Sequence, residues 1–321
     1  MEIYRDPLGA DEPPRGGVLT IGNFDGVHLG HQAILRYVVD RADRLGASAA
    51  AMTLDPHPVK LLRPRMAPRL LSTLGQRLEL IGRTGIEVAL VVPFTHRLAR
   101  MSAEEFVKDV LVDRIGIREV YIGANFRFGA DRGGDVALLE LMGEELGFKA
   151  AASPIVEIEG GVVSSTRVRE SVAEGQVEEA AAMLGRHVFI DGGVLEGKRL
   201  GRKLGFPTLN IEVENEIEPA CGVYITAVHI PSFGRTFASV TNVGTRPTVY
   251  ENSILTIETH LLDFTADVYR ESVRLFFVKR LRNEVSFPST VQLMAQIQQD
   301  VEASRLYFLQ NSIESHGFIV P

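Results

Sequence analysis

The chain has 321 residues, of which 45% are hydrophobic, and its formal net charge is −7 at pH 7. This length exceeds the usual size of one domain, so two domains are expected, and the negative charge argues against a general nucleic-acid-binding protein. The single cysteine, Cys221, excludes an intrachain disulfide framework and is typical of a reducing cytoplasm. The apolar runs are too short to span a bilayer and the polar N-terminal segment is unlike a signal peptide, so we expect a cytoplasmic protein without membrane or nucleic-acid partners.

A strand, a glycine-rich turn and a helix are predicted near the N-terminus. Residues 17–21 form a short apolar run, and apolar residues recur at helical spacing from residue 33 onward. In open α/β sheets such turns bind ligands, because backbone N–H groups and the helix dipole face outward, and histidines three residues apart can donate to phosphate oxygens. A phosphate site, a metal-binding histidine pair and a simple surface turn all remain open from spacing alone. The turn contains three glycines and two histidines, namely Gly22, Gly26, Gly30, His28 and His31.

Further strands alternate with helices along the first half of the chain. Capping patterns predict helices that begin after Thr73, Ser102 and Asp135. Such alternation predicts a doubly wound parallel sheet with right-handed crossovers. The apolar segments that we predict as strands are residues 48–54, 88–94, 119–122 and 150–155.

Three segments that follow predicted strands carry residues suited to chemistry. The turn at residues 55–58 contains His57, which the sequence alone indicates to be a surface residue. Residues 123–132 combine two phenylalanines with two arginines, which suits an aromatic ring system that carries phosphate, although a packed loop with solvated arginines explains them too. Residues 163–170 place hydroxyls and arginines at the start of a helix, which suits a triphosphate and is also explained by simple capping.

The second half changes to strands without intervening helices, followed by a long helix that begins after Ser289. This pattern predicts an antiparallel barrel or sandwich, with a domain boundary near Gly185, so that the domains are residues 1–185 and 186–321. Residues 197–210 form a loop in which basic residues lie among glycines, suited to nucleotide phosphates or simply solvated. Alternation along its strand places Glu258 on the same face as the residues two positions away. Two interpretations stay open: Glu258 is a candidate base for phosphoryl transfer to a hydroxyl, or it is an ordinary solvent-facing carboxylate. The strands are predicted at residues 187–195, 222–230, 236–243, 254–262 and 272–279.

Five strings resemble, in the same order, those of the bacterial bifunctional riboflavin kinase/FAD synthetases. They are Gly-Asn-Phe-Asp-Gly-Val-His-x-Gly-His at residues 22–31, the loop at 123–132, Ser-Ser-Thr-x-x-Arg at 164–169, Gly-x-x-Leu-Gly-x-Pro-Thr-x-Asn at 201–210, and Glu-Thr-His-Leu at 258–261. The resemblance implies a nucleotidyltransferase domain followed by a riboflavin kinase barrel. This chain departs from the family at Leu209, where alanine is usual, and at Arg270, where glycine is usual.

In the first domain the resemblance implies an FMN adenylyltransferase. The FMN phosphate attacks the α-phosphorus of ATP to give FAD and pyrophosphate, and it needs no strong base because it is already an anion. The catalytic residues that the resemblance implies are His28, His31, Asn125 and Arg169. The implied residues for flavin and nucleotide binding are Gly22, Asn23, Phe24, Asp25, Gly26, Gly30, Pro56, His57, Phe126, Phe128, Asp131, Ser165 and Thr166.

In the second domain the resemblance implies that Glu258 activates the ribityl hydroxyl of riboflavin, which takes the γ-phosphoryl group of Mg-ATP to give FMN. Thr208 and Asn210 are implied to hold the Mg²⁺ ion. The substrates expected for the whole chain are therefore riboflavin, FMN and ATP, with Mg²⁺ as cofactor, while the oligomeric state stays open. The segment Asn-Val-Gly-Thr-Arg-Pro-Thr at residues 242–248 is similar to another family string, which lines the kinase domain. The other binding residues that the resemblance implies here are Gly201, Gly205, Pro207 and Arg246.

Two other functions remain open at this point. One is a nucleotidyltransferase that acts on a different small phosphate and carries a merely structural barrel, against which Thr208, Asn210 and Glu258 argue. The other is a flavin-binding or storage protein without catalysis, which would not need His28, His31 or Glu258. A product assay that starts from riboflavin, and then from FMN, separates these functions.

Overall fold

The computed structural model describes residues 1–153, 156–158, 160–196, 201, 204–246 and 254–320. The chain divides into two compact units, Met1–Ser164 and Ser165–Pro321. The first unit contains a six-stranded parallel sheet and the second a closed antiparallel barrel with a long helix near its C-terminus, which confirms the predicted fold class. In the part of the chain that the structure describes, no helix is both long enough and apolar enough to cross a membrane.

The sheet of the first unit has the strand order β1-β4-β3-β2-β5-β6, and all neighbouring strands are parallel. After β2 the chain builds β3 and β4 on one side and then returns to β5 on the other side of β2. The crevice at the carboxyl ends of β2 and β5 is therefore the topological switch point, where open α/β sheets bind ligands. The strands are β1 (Glu2–Tyr4), β2 (Val18–Ile21), β3 (Ala49–Asp55), β4 (Val88–Pro93), β5 (Glu119–Gly123) and β6 (Lys149–Ser153), and β7 (Glu157–Ile158) pairs with β8 (Gly161–Val162) in a small hairpin.

Helices cover this sheet, and the capping patterns in the sequence set where several of them begin. Thr73 and Ser102 each form the reciprocal capping box that the sequence predicts, and the Asp135 side chain caps a further helix. The helices are α1 (Leu29–Leu45), α2 (Pro58–Leu62), α3 (Leu74–Gly82), α4 (His96–Arg100), α5 (Ala103–Glu105), which continues as a wider π-type helix over Phe106–Ile115, and α6 (Val136–Leu146), with short 3₁₀ turns at Pro64–Met66 and Ala130–Arg132.

The core of the first unit lies between the sheet and the continuous helix at residues 103–115. Leu19, Met52 and Leu90 of adjacent strands are at most 1% exposed and belong to one apolar cluster with Val107 and Leu111. All four residues of β2 are buried, as expected for a central parallel strand with both faces covered. The turn after β2 therefore begins from a strand that is buried on both faces.

The barrel of the second unit closes in the strand order β10-β13-β12-β11-β14-β9, with β9 paired to β10. One helix packs on β9 and β14, and the long C-terminal helix packs on β11 and β12. The strands are β9 (Val188–Leu195), β10 (Leu209–Val213), β11 (Gly222–Ile230), β12 (Arg235–Arg246), β13 (Ile254–Leu261) and β14 (Ser272–Arg282). The helices are α7 (Ser165–Ala173), α8 (Val177–Leu184), which is the one on β9 and β14, and the long α9 (Thr290–Gln310), with 3₁₀ turns at Pro231–Phe233 and Ile313–His316.

Two elements differ from the sequence-based expectations. Leu209 and Asn210, predicted as the end of a loop, begin strand β10, and the N-terminal segment contributes the edge strand β1. Both strands exist through pairing with distant segments, which a local pattern does not reveal. The boundary near Gly185 stays a prediction; the compact units divide earlier, because α7 packs on α8 and α8 packs on the barrel.

Candidate active sites

The candidate site of the first unit is built from three loops at one edge of the sheet. Strands β3, β2 and β5 are adjacent and parallel, so the segments that follow Ile21, Asp55 and Gly123 leave the sheet on the same side. These segments carry most of the residues that the sequence predicts for nucleotide and flavin binding in this unit.

The loop after β2 is held in a constrained conformation. The Asp25 carboxylate is 1% exposed and accepts hydrogen bonds from the backbone N–H groups of Leu71 and Ser72 at 3.0–3.2 Å and from the Ser72 hydroxyl at 3.3 Å. Phe24 and Val27 have left-handed φ angles of 49° and 38°, which are costly for side chains with a Cβ atom. Asp25 thus acts as an anchor that keeps the loop in a conformation it would not adopt alone.

The two predicted histidines lie together at the start of α1. His28 is the N-cap residue, and its Nδ1 accepts a hydrogen bond from the backbone N–H of His31 at 3.3 Å. The two rings stack with centroids 3.7 Å apart and an interplanar angle of 19°, which confirms that both side chains point the same way. Because Nδ1 accepts, neutral His28 carries its proton on Nε2, where it is a hydrogen-bond donor. A Cβ atom at Gly30 would lie 3.1 Å from the His28 ring, so glycine leaves room for that ring.

His57 is a second histidine that caps a helix. Its Nδ1 accepts from the backbone N–H of Val59 at 3.3 Å, and its Nε2 lies 3.1 Å from the side-chain amide of Asn23 in the neighbouring loop. The Asn23 atom at this distance is the amide nitrogen Nδ2; with Nδ1 of His57 as acceptor, a half-turn of the amide would bring its oxygen there to accept the Nε2 proton. His57 is only 8% exposed, so the interpretation as a surface residue is wrong. The ring turns inward because it caps α2, the short helix that begins at Pro58.

The aromatic loop after β5 has a buried base and an exposed rim. Phe128 is 9% exposed and packs against Phe106 and Phe126, with ring centroids 5.6 Å and 6.3 Å away. Two backbone hydrogen bonds between residues 128 and 134 close the loop at its base. Asn125 and Asp131 are exposed on the loop. The loop is therefore packed, as the alternative interpretation required, and still presents polar groups to solvent.

Ser165 and Thr166 are the first two residues of α7, and Arg169 lies one turn further along. The helix begins at Ser165, so these hydroxyls lie within its first turn. A first helical turn offers unpaired backbone N–H groups together with the positive end of the helix dipole. The helix belongs to the second compact unit.

In the second unit, the barrel register brings three polar side chains side by side. Glu258 on β13 is directly opposite Asn210 on β10 and also directly opposite Asn242 on β12. Directly opposed residues of neighbouring strands project to the same face of a sheet. Along β13, Glu258 is half-buried while Ile257 and Thr259 are fully buried, which confirms the alternation that the sequence predicts.

The opposite face of the same strands fixes this register. The hydroxyls of Thr226, Thr241 and Thr259 are fully buried and form a ladder across β11, β12 and β13, with O–O distances of 2.7 Å and 2.9 Å. Ser239 joins the ladder through a 2.7 Å hydrogen bond to Thr226. A buried polar network in which each member has a partner specifies one alignment, since a shifted strand would leave hydroxyls unpaired.

Glu258 lies in a cavity of about 370 Å³ between the barrel and α9. Arg282 at the end of β14 holds α9 in place, because its Nε and Nη2 donate to the Asp300 carboxylate at 3.0 Å and 2.7 Å. The apolar wall includes Phe206, Val240, Val285, Phe287, Leu293, Ile297 and Val301, and the polar residues include Thr208, Asn210, Asn242, Glu258, His260 and Glu284.

The cavity gathers several predicted residues and adds one that the sequence interpretation did not single out. Gly201, Thr208, Asn210 and Glu258 all line it, and so does Asn242, the first residue of the segment 242–248 that resembles a family string. Glu284 is the addition, and its position depends on the segment after β14.

The remaining predicted residues of the barrel are sequence neighbours of residues that line this cavity, or lie outside the described residues. Gly205 has a left-handed φ of 86°, and the Pro207 carbonyl accepts a hydrogen bond from His260 Nδ1 at 2.8 Å. Pro207 and Thr208 also line a second cavity of about 270 Å³ together with Asp267 and Tyr269. The side chain of Arg246 and residues 197–200, 202–203 and 247–253 lie outside the described residues.

Among the described residues, no group of three or more His, Cys, Asp or Glu side chains could hold a metal ion.

Comparisons with known proteins match both units in order. The FAD synthetase family model matches residues 10–167, and the riboflavin kinase family model matches residues 184–308. A protein named bifunctional riboflavin kinase/FMN adenylyltransferase from Pseudomonas fluorescens is 40% identical over 95% of this chain and 97% of its own length. One of the same name from Escherichia coli K12 is 38% identical over 96% of this chain and 98% of its own length. A crystal structure described as a macrolide-efflux protein from Streptococcus pneumoniae superposes with a TM-score of 0.85 at 26% identity, covering 95% of this chain and 98% of that one.

Proposed function

The chain belongs to the family of bifunctional riboflavin kinase/FMN adenylyltransferases, and on that premise we propose which of its residues carry each reaction. It phosphorylates riboflavin to FMN with ATP and transfers the AMP moiety of a second ATP to FMN, which gives FAD and pyrophosphate. Riboflavin, FMN and ATP are thus its substrates. A cytoplasmic location follows as part of the proposal from the single cysteine and from the cellular supply of ATP.

The proposed adenylyltransferase site uses the stacked histidines at the start of α1. His28 presents Nε2–H as a donor, and His31 stacks on its ring, so both face the place where the phosphates of ATP would lie at the helix N-terminus. The backbone N–H groups of residues 22–26 add hydrogen-bond donors. For Ser165, Thr166 and Arg169, which belong to the second compact unit, the phosphate-binding role rests on the family resemblance alone. A phosphate oxygen of FMN attacks the α-phosphorus, and the bond to the pyrophosphate oxygen breaks. These groups accelerate the step because the leaving pyrophosphate gains charge.

FMN itself is placed by the loops after β3 and β5 in this proposal. Phe126 offers an aromatic face for the flavin ring, while Asn125 and Asp131 on the exposed rim offer polar groups to its edge or phosphate. Phe128 supports Phe126 from the core. His57 contacts the side chain of Asn23, which lies in the loop after β2; we call residues 22–26 of this loop the phosphate loop. Pro56 sets the turn that brings His57 there.

The proposed kinase centre is Glu258 with its two asparagine neighbours. The carboxylate accepts the proton of the ribityl hydroxyl while that oxygen attacks the γ-phosphorus of ATP, and ADP leaves. The observation that carries this assignment is the register, which places Asn210 and Asn242 on either side of Glu258 in one cavity. The apolar wall of the same cavity, formed partly by Leu293 and Ile297 of α9, suits the flavin ring.

Thr208 and Asn210 are the residues that would hold Mg²⁺. Both line the cavity beside Glu258, and a hydroxyl and an amide oxygen are ligands that Mg²⁺ accepts together with substrate phosphates. When bound, the ion would neutralise charge on the transferring phosphate group. The oxygen atoms of these two side chains therefore fit Mg²⁺.

A chromatographic assay of flavin products tests these assignments. Glu258→Gln should abolish FMN formation from riboflavin and leave the conversion of FMN to FAD intact, whereas His28→Ala should spare the kinase and slow the conversion of FMN to FAD about 100-fold. Normal FMN formation by Glu258→Gln would remove Glu258 from the mechanism, and loss of both steps in either variant would assign that residue to folding. FAD from FMN without any product from riboflavin in the wild type would favour a barrel that is merely structural, and tight flavin binding without turnover would favour a storage protein.

A further inference from the structure

Arg77 is the largest fully buried side chain of the described residues, at 1% exposure, and lies on α3 beneath the candidate adenylyltransferase site. Burying a guanidinium is costly unless its N–H groups meet acceptors. Its Nη1 donates to the Thr53 hydroxyl at 3.2 Å and to the Leu54 carbonyl at 3.4 Å, both near the carboxyl end of β3. None of the motifs considered above includes Arg77 or Thr53.

The direction of the hydrogen bonds beyond Arg77 is fixed by chemistry. An arginine side chain can only donate, so the Thr53 oxygen accepts from Arg77 and keeps its own proton for another partner. That partner is the backbone carbonyl of Asn23, whose oxygen lies 3.2 Å from Thr53 Oγ1. A directed relay therefore runs from α3 through β3 to the phosphate loop.

The end of this relay controls one peptide plane of the loop. In a trans peptide the C=O of Asn23 and the N–H of Phe24 point in opposite directions. Because the Asn23 oxygen points to Thr53, the N–H of Phe24 points away from Thr53. It donates to no group in the part of the chain that the structure describes. A backbone donor without an acceptor is costly inside a protein, and it is well suited to an anionic ligand.

We propose that Arg77 and Thr53 are positioning residues of the adenylyltransferase, which hold the Asn23–Phe24 peptide so that its N–H faces a phosphate oxygen of the nucleotide. This inference rests on the proposed assignment of the loop after β2 as the phosphate site. Asp25 anchors the same loop two residues later through Leu71 and Ser72, so the peptide is fixed from both ends. The Asn23 side chain, which meets His57, is fixed with it.

A simpler role for Arg77 would be to add buried positive charge near the phosphates. The two roles differ in what they require of Thr53. A relay needs the hydroxyl, whereas a charge effect needs only the cation. Thr53→Val removes the hydroxyl and nearly keeps the shape of the side chain, and Thr53→Ser restores the hydroxyl without the methyl group, so these two variants form a matched pair.

The experiment measures FMN-to-FAD turnover, with kcat and KM for ATP, in Thr53→Val, Thr53→Ser, Arg77→Met and the double variant of Thr53→Val with Arg77→Met. Riboflavin kinase turnover by the same molecules is measured alongside. We expect Thr53→Val and Arg77→Met each to lower kcat/KM for ATP at least about tenfold. Thr53→Ser should stay within about threefold of the wild type, and the double variant should be no worse than the poorer single variant, since both break one relay. Kinase turnover should not change.

Hydrogen–deuterium exchange of the peptide at residues 20–29 provides a readout that does not depend on activity. Loss of the relay should speed exchange there and leave β4 unchanged. Full adenylyltransferase activity in Thr53→Val would overturn the proposal. A fall in kcat/KM for the double variant that equals the product of the two single falls would also overturn it. Activity loss with faster exchange throughout the first unit would also overturn it, because the residues would then only support the core. If His28→Ala kept its adenylyltransferase activity, the proposed site itself would fail; if only the Thr53 variants kept theirs, the relay alone would fail.

Discussion

Histidine occupies the N-cap position of two helices in the first unit, where serine, threonine, aspartate or asparagine is the usual choice. His28 caps α1 and His57 caps α2, each through Nδ1. Capping through Nδ1 has a chemical consequence that a hydroxyl cap lacks, because it assigns the proton to Nε2 and aims a donor away from the helix. One side chain thus satisfies the helix terminus and also presents the donor that we propose for phosphate binding.

His28→Asn separates the two roles of this residue. The asparagine oxygen can still accept from the His31 N–H, so the helix cap and the unfolding free energy should be nearly kept, but the Nε2 donor is lost. We expect a fall in FMN-to-FAD turnover of about 100-fold, the scale of losing one preorganised donor. His28→Ala should show the same fall and lose a further ~1 kcal/mol of stability with the cap. Equal unfolding free energies for the two variants would contradict the capping role, and wild-type turnover in His28→Asn would contradict the donor role.

Arg270 occupies a backbone conformation that favours glycine. Its φ is 68°, its side chain is exposed, and its backbone N–H donates to the Val194 carbonyl at 2.9 Å. A left-handed backbone conformation costs a residue with a Cβ atom about 1–2 kcal/mol. Replacement by glycine removes this cost, but part of the gain in stability is lost because glycine gives the unfolded chain more conformational freedom. We expect Arg270→Gly to raise the free energy of unfolding by roughly 0.5–1 kcal/mol, as measured by denaturant titration. Arg270→Ala keeps the Cβ atom and should show no gain; an equal gain for alanine would assign the effect to the arginine side chain instead.

At the scale of elements, the C-terminal segment is held to the barrel by aromatic and histidine contacts. His316 stacks on Phe318, and its Nδ1 lies 3.1 Å from Nε2 of His187, which directly precedes β9. Arg274 of β14 donates to the Ile319 carbonyl at 2.9 Å. The segment therefore contacts both β9 and β14, the neighbouring strands whose pairing helps to close the barrel.

These contacts make barrel stability depend on pH. Burial, with a smaller contribution from His316, lowers the pKa of His187 to about 4, and burial also lowers the pKa of His316. A histidine whose pKa is lower in the folded state binds its proton less tightly there than in the unfolded chain. Below the unfolded pKa of about 6.5 the unfolded chain therefore binds more protons than the folded protein, and a lower pH favours unfolding. Stability should therefore be complete above that unfolded pKa and decline as the pH falls toward 4. Protonation of both rings would also leave two donors facing each other.

His187→Phe tests this dependence. Between pH 7 and pH 5, above the range in which carboxylates titrate, the unfolding midpoint of the wild type should fall, and that of the variant should fall less steeply. His229, whose pKa burial also lowers, should leave a residual slope. His96→Ala serves as the control, since His96 is exposed in the first unit. Identical slopes for wild type and His187→Phe would show that this pair does not titrate in the relevant range.

Local sequence signals predict the elements that have strong caps or continuous apolar runs. They do not predict segments whose secondary structure depends on pairing with strands far away in the sequence. The capping boxes at Thr73 and Ser102 gave correct helix starts, and the run at β4 gave a correct buried strand. The first two residues of β10, Leu209 and Asn210, are predicted as loop because they end a glycine- and proline-containing segment. β10 becomes a strand only because β9 and β13 pair with it on both sides.

At the scale of the whole molecule, the order of the two activities could be predicted from the order of the strings, because each string lies within one architecture. The side-by-side placement of Asn210, Glu258 and Asn242 could not, since it depends on a barrel register between strands far apart in sequence. The domain boundary near Gly185 stays a prediction, because no linker composition marks where one domain ends and α7 and α8 follow one another with only a short turn between them.

Each compact unit has its own sheet and its own candidate site, so the two reactions should not need to occur on the same polypeptide. We predict that an equimolar mixture of Glu258→Gln and His28→Ala converts riboflavin to FAD, although the former cannot make FMN and the latter adenylylates it about 100-fold more slowly than the wild type. FMN made by His28→Ala must leave that molecule before Glu258→Gln can adenylylate it, so FAD should appear after a lag during which FMN accumulates. The measurement is a chromatographic time course at two enzyme concentrations, and a higher concentration of Glu258→Gln should shorten the lag. FMN accumulation without FAD would mean that the adenylyltransferase accepts FMN only from its own kinase unit, and each variant incubated alone is the control.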